Sequence, residues 1–423
     1  MTVNIAPWLT SSHWPTVPIR YVARLGTGHT PSRQHPEYWE NCTIPWVTLA
    51  DVGQLRDGTV DTISGTAEMI SPLGVANSAA VQHPAGTVIL SRTASVGFSA
   101  VLGTDMATSQ DYATWTCGPR LDPKYLLHAL RAMAPDLRRL ATGSTHKTIY
   151  MPDIAELRIP LPPLAEQRRI ADFLDAETVR IDTLVDLVKR AIKLLEARRR
   201  LHVLDLIEPV RDNVARPTVA LKYLSSSLSV GIVITPARWY VDGDGVVALR
   251  GLNIRPGRIS IDDIVRISQE GHTLHAKSKL RAGDVVVVRT GQTGVAAVVP
   301  KSLDGSNCID LVIVRPISTV VPQYIEIVLN SDFARQYINE FSVGTIQSHL
   351  NVAALKQLPI PERDPTEQLA VVEAVGQIDR EVDGAQSLMT RQIELLTERR
   401  QALITAAVTG QFDVTTARGA DLS

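Results

Sequence analysis

Apolar residues recur every seven positions in two long stretches of the chain. In the first, Leu174, Ile181, Val188 and Leu195 mark the repeat, with Leu184 and Ala191 between them; in the second, Val375, Val382, Met389, Leu396 and Leu403 do so. A sustained spacing of seven predicts a helix that lays an apolar seam against another helix. Each stretch runs about 43 residues without proline, which at ~1.5 Å per residue makes a helix roughly 65 Å long. A seam of that length has no place on one small domain, so each helix is expected to cover the other's. The first helix ends near Ile207, and a connection through Pro209 and Pro217 leads to the next globular part. The second helix leaves that part and must return if the two pair along their length, so the pair is predicted to be antiparallel.

The remaining chain has a different pattern, dense in Gly, Pro and Thr with short apolar runs. Thr87–Leu90 and Asp284–Val288 read as buried strands, and Pro123–Leu140 and Gln323–Phe341 as helices within otherwise strand-rich stretches, Val17 to Arg158 and Val219 to Leu358. These two stretches resemble one another. Ala85-Gly86-Thr87-Val88 and Arg92-Thr93 match Ala282-Gly283-Asp284-Val285 and Arg289-Thr290, and Gly97 and Ala100 match Gly294 and Ala297. Pro123 and Tyr125 correspond to Pro322 and Tyr324, and Gly143, Pro160, Glu166 and Gln167 to Gly344, Pro361, Glu367 and Gln368. The chain is a tandem duplication of a mixed part followed by a helical part, with a period far too long for a solenoid. The expected fold is α+β, with boundaries at 1–160 for the first globular domain, 161–208 for the first helix, 209–361 for the second domain, 362–410 for the second helix and 411–423 for a tail. Equivalent domains on an antiparallel pair of equivalent helices would have approximate two-fold symmetry and lie at opposite ends of a rigid spacer.

Composition narrows the function. The 423 residues carry 43 Lys and Arg against 44 Asp and Glu, a net charge of −1, so bulk charge argues for neither nucleic acid nor membrane and any basic surface is local. Arg outnumbers Lys 34 to nine, which suits bidentate recognition of guanine or phosphate but also follows from a GC-rich genome. Cys42, Cys117 and Cys308 are odd in number and widely spaced, which argues against a disulfide framework or cysteine zinc site and fits a reducing cytoplasm. No apolar run approaches the ~18 to 20 residues of a bilayer span.

The sequence resembles the specificity (S) subunits of type I restriction-modification systems along almost its whole length. The resemblance rests on Gly28-His29-Thr30-Pro31-Ser32, Glu37-Tyr38-Trp39, Ile44-Pro45-Trp46-Val47 and Leu90-Ser91-Arg92-Thr93. Its most specific part is Ile159-Pro160-Leu161-Pro162-Pro163-Leu164-Ala165-Glu166-Gln167-Arg168-Arg169-Ile170 before a heptad helix, partly repeated at Leu358-Pro359-Ile360-Pro361 and Glu367-Gln368. The second copy departs from it with Glu362-Arg363-Asp364-Pro365, and the opening Gly-x-Thr-Pro-Ser motif is not evident near Ser225–Pro236. The resemblance implies two target recognition domains, each reading half of a bipartite sequence in double-stranded DNA, with the helices setting the gap. It implies a subunit without catalysis or cofactor of its own, working with two methyltransferase (M) subunits and two restriction (R) subunits, which would hold the S-adenosylmethionine, ATP and magnesium. The alternative is a coiled-coil adaptor that binds only proteins.

The residues agree with the expected lack of catalysis: there is no GxxxxGK[ST] loop, no HExxH and no Asn/Asp-Pro-Pro-aromatic motif. Pro152-Asp153 with Glu156-Leu157-Arg158 superficially matches a nuclease carboxylate pair, but the second copy lacks it and helix capping is expected instead. Asp242-Gly243-Asp244-Gly245 has no glutamate at the twelfth position of a calcium loop and is expected to be a hairpin turn. DNA contacts are expected from polar residues beside glycines in loops: Thr30, Ser32, Arg33, Arg92, Thr93, Ser95, Ser109, Gln110 and Lys147 in the first copy, and Arg289, Thr290, Gln292, Thr293, Asn307, Thr345 and Gln347 in the second. Arg92 and Arg289 are equivalent and so cannot alone distinguish two half-sites, which favours positioning over reading. Ala94/Gly291, Ser95/Gln292 and Gln110/Ile309 differ between the copies and are better candidates for reading. Gly143–Lys147 and its counterpart suit phosphate contact or a tight turn equally. Arg198-Arg199-Arg200 and Arg399-Arg400 are expected at helix ends, where cations complement the dipole and solvent or a partner is the expected neighbour.

Overall fold

A computed structural model describes residues 7–143, 147–207, 210–211, 214–340 and 350–415. The chain divides into two compact units, residues 1–189 with 389–423 and residues 190–388. Each unit joins a globular part to one segment of both long helices. These are the first long helix, Leu164–Ile207, and the second, Pro365–Thr409. No helix among the described residues is long and apolar enough to cross a membrane.

In unit 1 a five-stranded sheet runs in the order Ala23–Thr27, Tyr112–Cys117, Val88–Ser91, Ser99–Leu102 and Thr62–Ile63. A second sheet runs Glu68–Ile70, Ile44–Val47, Met106–Thr108 and Gln82–His83, with Trp46 paired to Ala107 in parallel. The unbroken apolar run at Val88–Leu90 follows from burial on both faces of the first sheet. Val88 and Leu90 point into a core shared with the helices, and Ile89 points the other way onto Val47, Leu55 and Met106. Unit 2 repeats this: Val285 and Val287 join the helical core and Val286 and Val288 the opposite one. Its main sheet runs Ser225–Val230, Leu311–Pro316, Val285–Val288 and Ala296–Val298.

The repeat-matched Pro, Tyr and Gln tie each globular part to its helix. The Pro123 helix (Pro123–Ala132) presents Tyr125, whose hydroxyl donates to the Pro160 carbonyl at 3.0 Å; in the Pro322 helix (Pro322–Leu329), Tyr324 donates to Pro361 at 2.8 Å. Gln167 is fully buried. Its amide accepts from the Asp122 N–H and donates to the Arg120 and Pro162 carbonyls, all within 2.9 Å. Gln368 does the same in unit 2, accepting from Val321 at 2.7 Å and donating to Arg363 at 2.8 Å. A short antiparallel ladder closes each part, Val17 opposite Ile159 and Val219 opposite Ile360.

The long helices pair antiparallel within each unit. In unit 1, Arg400 bonds Asp182 at 3.0 Å, the Phe173 and Phe412 rings stack at 5.5 Å, and Ile170 and Leu174 share a core with Ile404 and Val408. In unit 2, Arg199 bonds Asp379 at 2.6 Å, Gln386 donates to Glu196, and Arg363 donates to the Leu206 carbonyl. The seven-spaced positions are buried or half-buried, as a seam requires, but the intervening Leu184 is exposed. Leu187 and Leu395 in unit 1, and Leu194, Leu201 and Leu388 in unit 2, are also exposed.

Asp153 lies in the first turn of the Met151–Ala155 helix, but no side chain caps that helix, and Glu156 is paired with Arg20. Asp242–Asp244 form a bend between the turn at Pro236–Trp239 and the strand Val246–Leu249, in place of a hairpin between adjacent strands.

Candidate nucleic-acid interface

In unit 1 three loops meet at the end of the second sheet. Gly28 makes this possible: a Cβ there would lie 1.7 Å from the Thr108 carbonyl oxygen, and the next N–H, of His29, donates to that oxygen at 3.0 Å. The approach carries Thr30 to Gln110, the Thr30 hydroxyl donating to the Gln110 side-chain oxygen at 2.7 Å, so these two predicted residues come together. Ser32 and Arg33 are exposed on the same loop. The Arg33 guanidinium lies 3.8 Å over the Trp39 ring and 3.1 Å from Glu68, which fixes a cation at the surface. Ser109 is buried, and its hydroxyl donates to Asp111 at 3.0 Å, so it shapes the loop that presents Gln110.

The third loop follows the strand Val88–Ser91. Arg92 is half-buried; its N–H donates to the Asp111 carbonyl at 2.8 Å and its carbonyl accepts from Ile149 at 2.8 Å. Thr93 pairs with Thr148, and the N–H of Ala94 donates to the Lys147 carbonyl at 2.9 Å. Ala94 is left-handed, with φ 59°, and its counterpart Gly291 has φ 89°, so this difference between the copies serves the turn rather than a side-chain contact. Ser95 is half-buried and Lys147 exposed on the same turn.

Unit 2 contains the close approach that the sequence reading missed. A Cβ on Gly231 would lie 2.6 Å from the Cys308 carbonyl oxygen, and Ile232 donates to that oxygen at 2.9 Å, as His29 does to Thr108. The motif reads Gly231-Ile232-Val233-Ile234-Thr235-Pro236, with two more residues between the glycine and Thr-Pro than in the first copy. A search for Gly and Thr-Pro that allowed an insertion would have found it.

Arg289 is held more firmly than Arg92. Its guanidinium bonds Asp310 at 2.8 Å, Thr290 donates to the other oxygen of that carboxylate at 2.7 Å, and the Arg289 carbonyl accepts from Leu350. Gln292 is exposed and Thr293 half-buried at the tip of this turn. Asn307 is fully buried. Its carbonyl accepts from Ser278 and from the Cys308 N–H, and its amide faces His272, so its polar atoms are spent inside the unit. Thr345 and Gln347 lie outside the described residues.

Three comparisons bear on this arrangement. The family described as "Type I restriction modification DNA specificity domain" matches residues 11–196. Over 314 residues the chain is 20% identical to the EcoBI specificity subunit of Escherichia coli, covering 69% of this chain and 66% of that one. It is 27% identical over 170 residues to the EcoR124I/EcoR124II specificity subunit of Escherichia coli, covering 40% of this chain and 41% of that one. The alignments therefore span less than two thirds of these relatives. Among solved structures, a chain described under complex assembly and conformational transition of the type I R-M system shares the fold with a TM-score of 0.71 at 18% identity, covering 94% of this chain and 98% of that one.

Proposed function

We propose that the chain is a specificity subunit of a type I restriction-modification system and that it reads a bipartite DNA sequence, one half with each unit. The observation that carries this reading is the duplicated loop cluster. Both units build it by the same glycine-to-carbonyl approach, at Gly28 and at Gly231, and then equip it differently, with Ser95 and Gln110 in one and Gln292 and Thr293 in the other; Ile309, expected to match Gln110, is buried in the place of Ser109. A shared scaffold with unlike polar tips is what two different half-sites require.

Ser95, Gln110, Gln292 and Thr293 are the readers in this proposal. Arg92 and Arg289 position the turns, Ser109 and Asn307 shape the loops behind them, and Thr30, Ser32, Arg33, Thr93, Lys147 and Thr290 contact the backbone. Thr345 and Gln347 are assigned to DNA contact by sequence analogy with Lys147. The long helices set the gap between half-sites, which for a symmetric reader lie about one helical turn, ~10 bp, or a multiple apart. The subunit catalyses nothing and holds no cofactor. It acts in the cytoplasm on double-stranded DNA with two M subunits, which bring S-adenosylmethionine, and two R subunits, which bring ATP and magnesium. The exposed leucines at heptad spacing on both helices support partner docking, since solvent gains nothing from such a stripe.

The test is to sequence methylated DNA from cells carrying this gene with its M partner. A bipartite adenine-methylated motif is expected. Absence of any motif, with the chain still bound to its protein partners, would favour the adaptor.

A further inference from the structure

The Pro322 helix of unit 2 borders a cavity of about 350 Å³. In unit 1 the equivalent space is filled by charge. Lys124 and His128 donate to Asp175 at 2.6 and 2.8 Å, Arg131 pairs with Asp61, and Arg400, bound to Asp182, donates to the Gly58 carbonyl at 2.6 Å. The repeat replaces these residues one by one. Gln323 stands for Lys124, Ile327 for His128, Asn330 for Arg131, Ser260 for Asp61 and Gly376 for Asp175. The buried guanidinium is gone and no side chain takes its volume.

One carboxylate has been added in the same place. Glu326, where unit 1 has Leu127, is 7% exposed, lines the cavity, and has an oxygen 3.3 Å from the Cβ position of Gly257. Burial pushes its carboxyl up to about 7, and among the described residues no cation pairs with it. Three arginines also line the cavity. Arg199 is bonded to Asp379, Arg335 to Asp332 at the rim, and Arg200 is exposed to solvent. Val203, Ile327, Val372 and Val375 supply an apolar wall.

We propose that this cavity binds an organic cation, with an ammonium or guanidinium group against Glu326 and a short methylene chain along the valine wall. The ligand restores from outside the cation that unit 1 carries as Arg131. A volume of this size suits a small molecule. None of the proposed readers lines the cavity, and its test needs neither DNA nor partner subunits.

The full chain is titrated calorimetrically with agmatine at pH 8, where Glu326 is ionised. One saturable site is expected. Glu326→Gln, nearly isosteric, should weaken it at least tenfold. Gly376→Phe should block it by bulk; a Cβ there meets nothing nearer than an Arg380 nitrogen at 3.5 Å, so that variant is expected to fold. A second arm uses a capped Gly-Arg-Gly peptide. Binding as tight as agmatine's assigns the cation to a side chain displayed by a partner, and binding of agmatine alone assigns it to a free metabolite. No binding by the unaltered chain, or binding unchanged in both variants, overturns the proposal.

Discussion

The Pro123 and Pro322 helices hold the same place in their units and were built from one ancestral sequence, yet they meet their surroundings by opposite means. Unit 1 buries His128 and Arg131 and pairs them with Asp175 and Asp61; burial lowers the affinity of His128 for a proton while the Asp175 hydrogen bond works against that loss. Unit 2 replaces those groups with Ile327, Asn330 and Gly376 and is left with a cavity and a lone buried acid. The duplication kept what ties each globular part to the helices, Tyr125 with Gln167 and Tyr324 with Gln368. It released the positions that only fill space. The same division holds at the loops, where Gly28 and Gly231 are kept and the polar tips diverge.

The comparison breaks most visibly at those glycines. Gly28→Ala, which drives a methyl group to 1.7 Å from a backbone oxygen, is expected to cost about 3 kcal/mol. Gly231→Ala, at 2.6 Å, should cost less. Denaturant unfolding of both variants checks the order, and equal losses would mean that the loops are not held as described.

The buried acid sharpens the contrast through pH. Glu326 titrates near 7 in the folded chain and near its ordinary 4.5 when unfolded, so the folded state holds the extra proton between these values. Stability should therefore fall as pH rises from 4.5 to 7, by on the order of 3 kcal/mol, and then level off. Glu326→Gln should flatten that fall, measured as melting temperature against pH.

Gln167→Leu orphans one buried N–H and two carbonyls, and Gln368→Leu one of each, so losses of about 2 kcal/mol are expected, larger in unit 1. The smallest effects on stability belong to the proposed readers. Ser95→Ala and Gln110→Ala should leave unfolding within about 0.5 kcal/mol while changing preference at one base pair by about 1 to 3 kcal/mol, read from the methylated motif. Arg289→Ala, which breaks the Asp310 pair, should cost about 1 kcal/mol and weaken one half-site without changing its sequence.

Much of the fold was legible because it follows from periodicity. The seven-residue spacing marked both long helices, and the uninterrupted Val88–Leu90 and Val285–Val288 runs marked strands covered on both faces. The self-similarity identified the tethering residues before their hydrogen bonds were known. Exposure was harder to read. Leu184 looks like a seam residue but faces solvent, since periodicity fixes a helical face and not what covers it. At the site, spacing drew attention to the right loops and failed to sort them. Ser109 and Asn307 have the chemistry of readers, yet they are buried, Ser109 satisfying Asp111 of its own loop and Asn307 satisfying Ser278 of another segment. Gly231 was hidden by a two-residue insertion. The cavity beside Glu326 was invisible, because an empty space arises from residues that are absent, and only comparison with unit 1 shows what they were.

The central claim is that two unlike loop clusters read two half-sites and the helix pair sets the distance between them. Adding one heptad to each long helix and sequencing the DNA that the assembled methyltransferase modifies tests it most directly. The account predicts a longer gap flanked by both original half-sites; an altered half-site with the gap unchanged would contradict it.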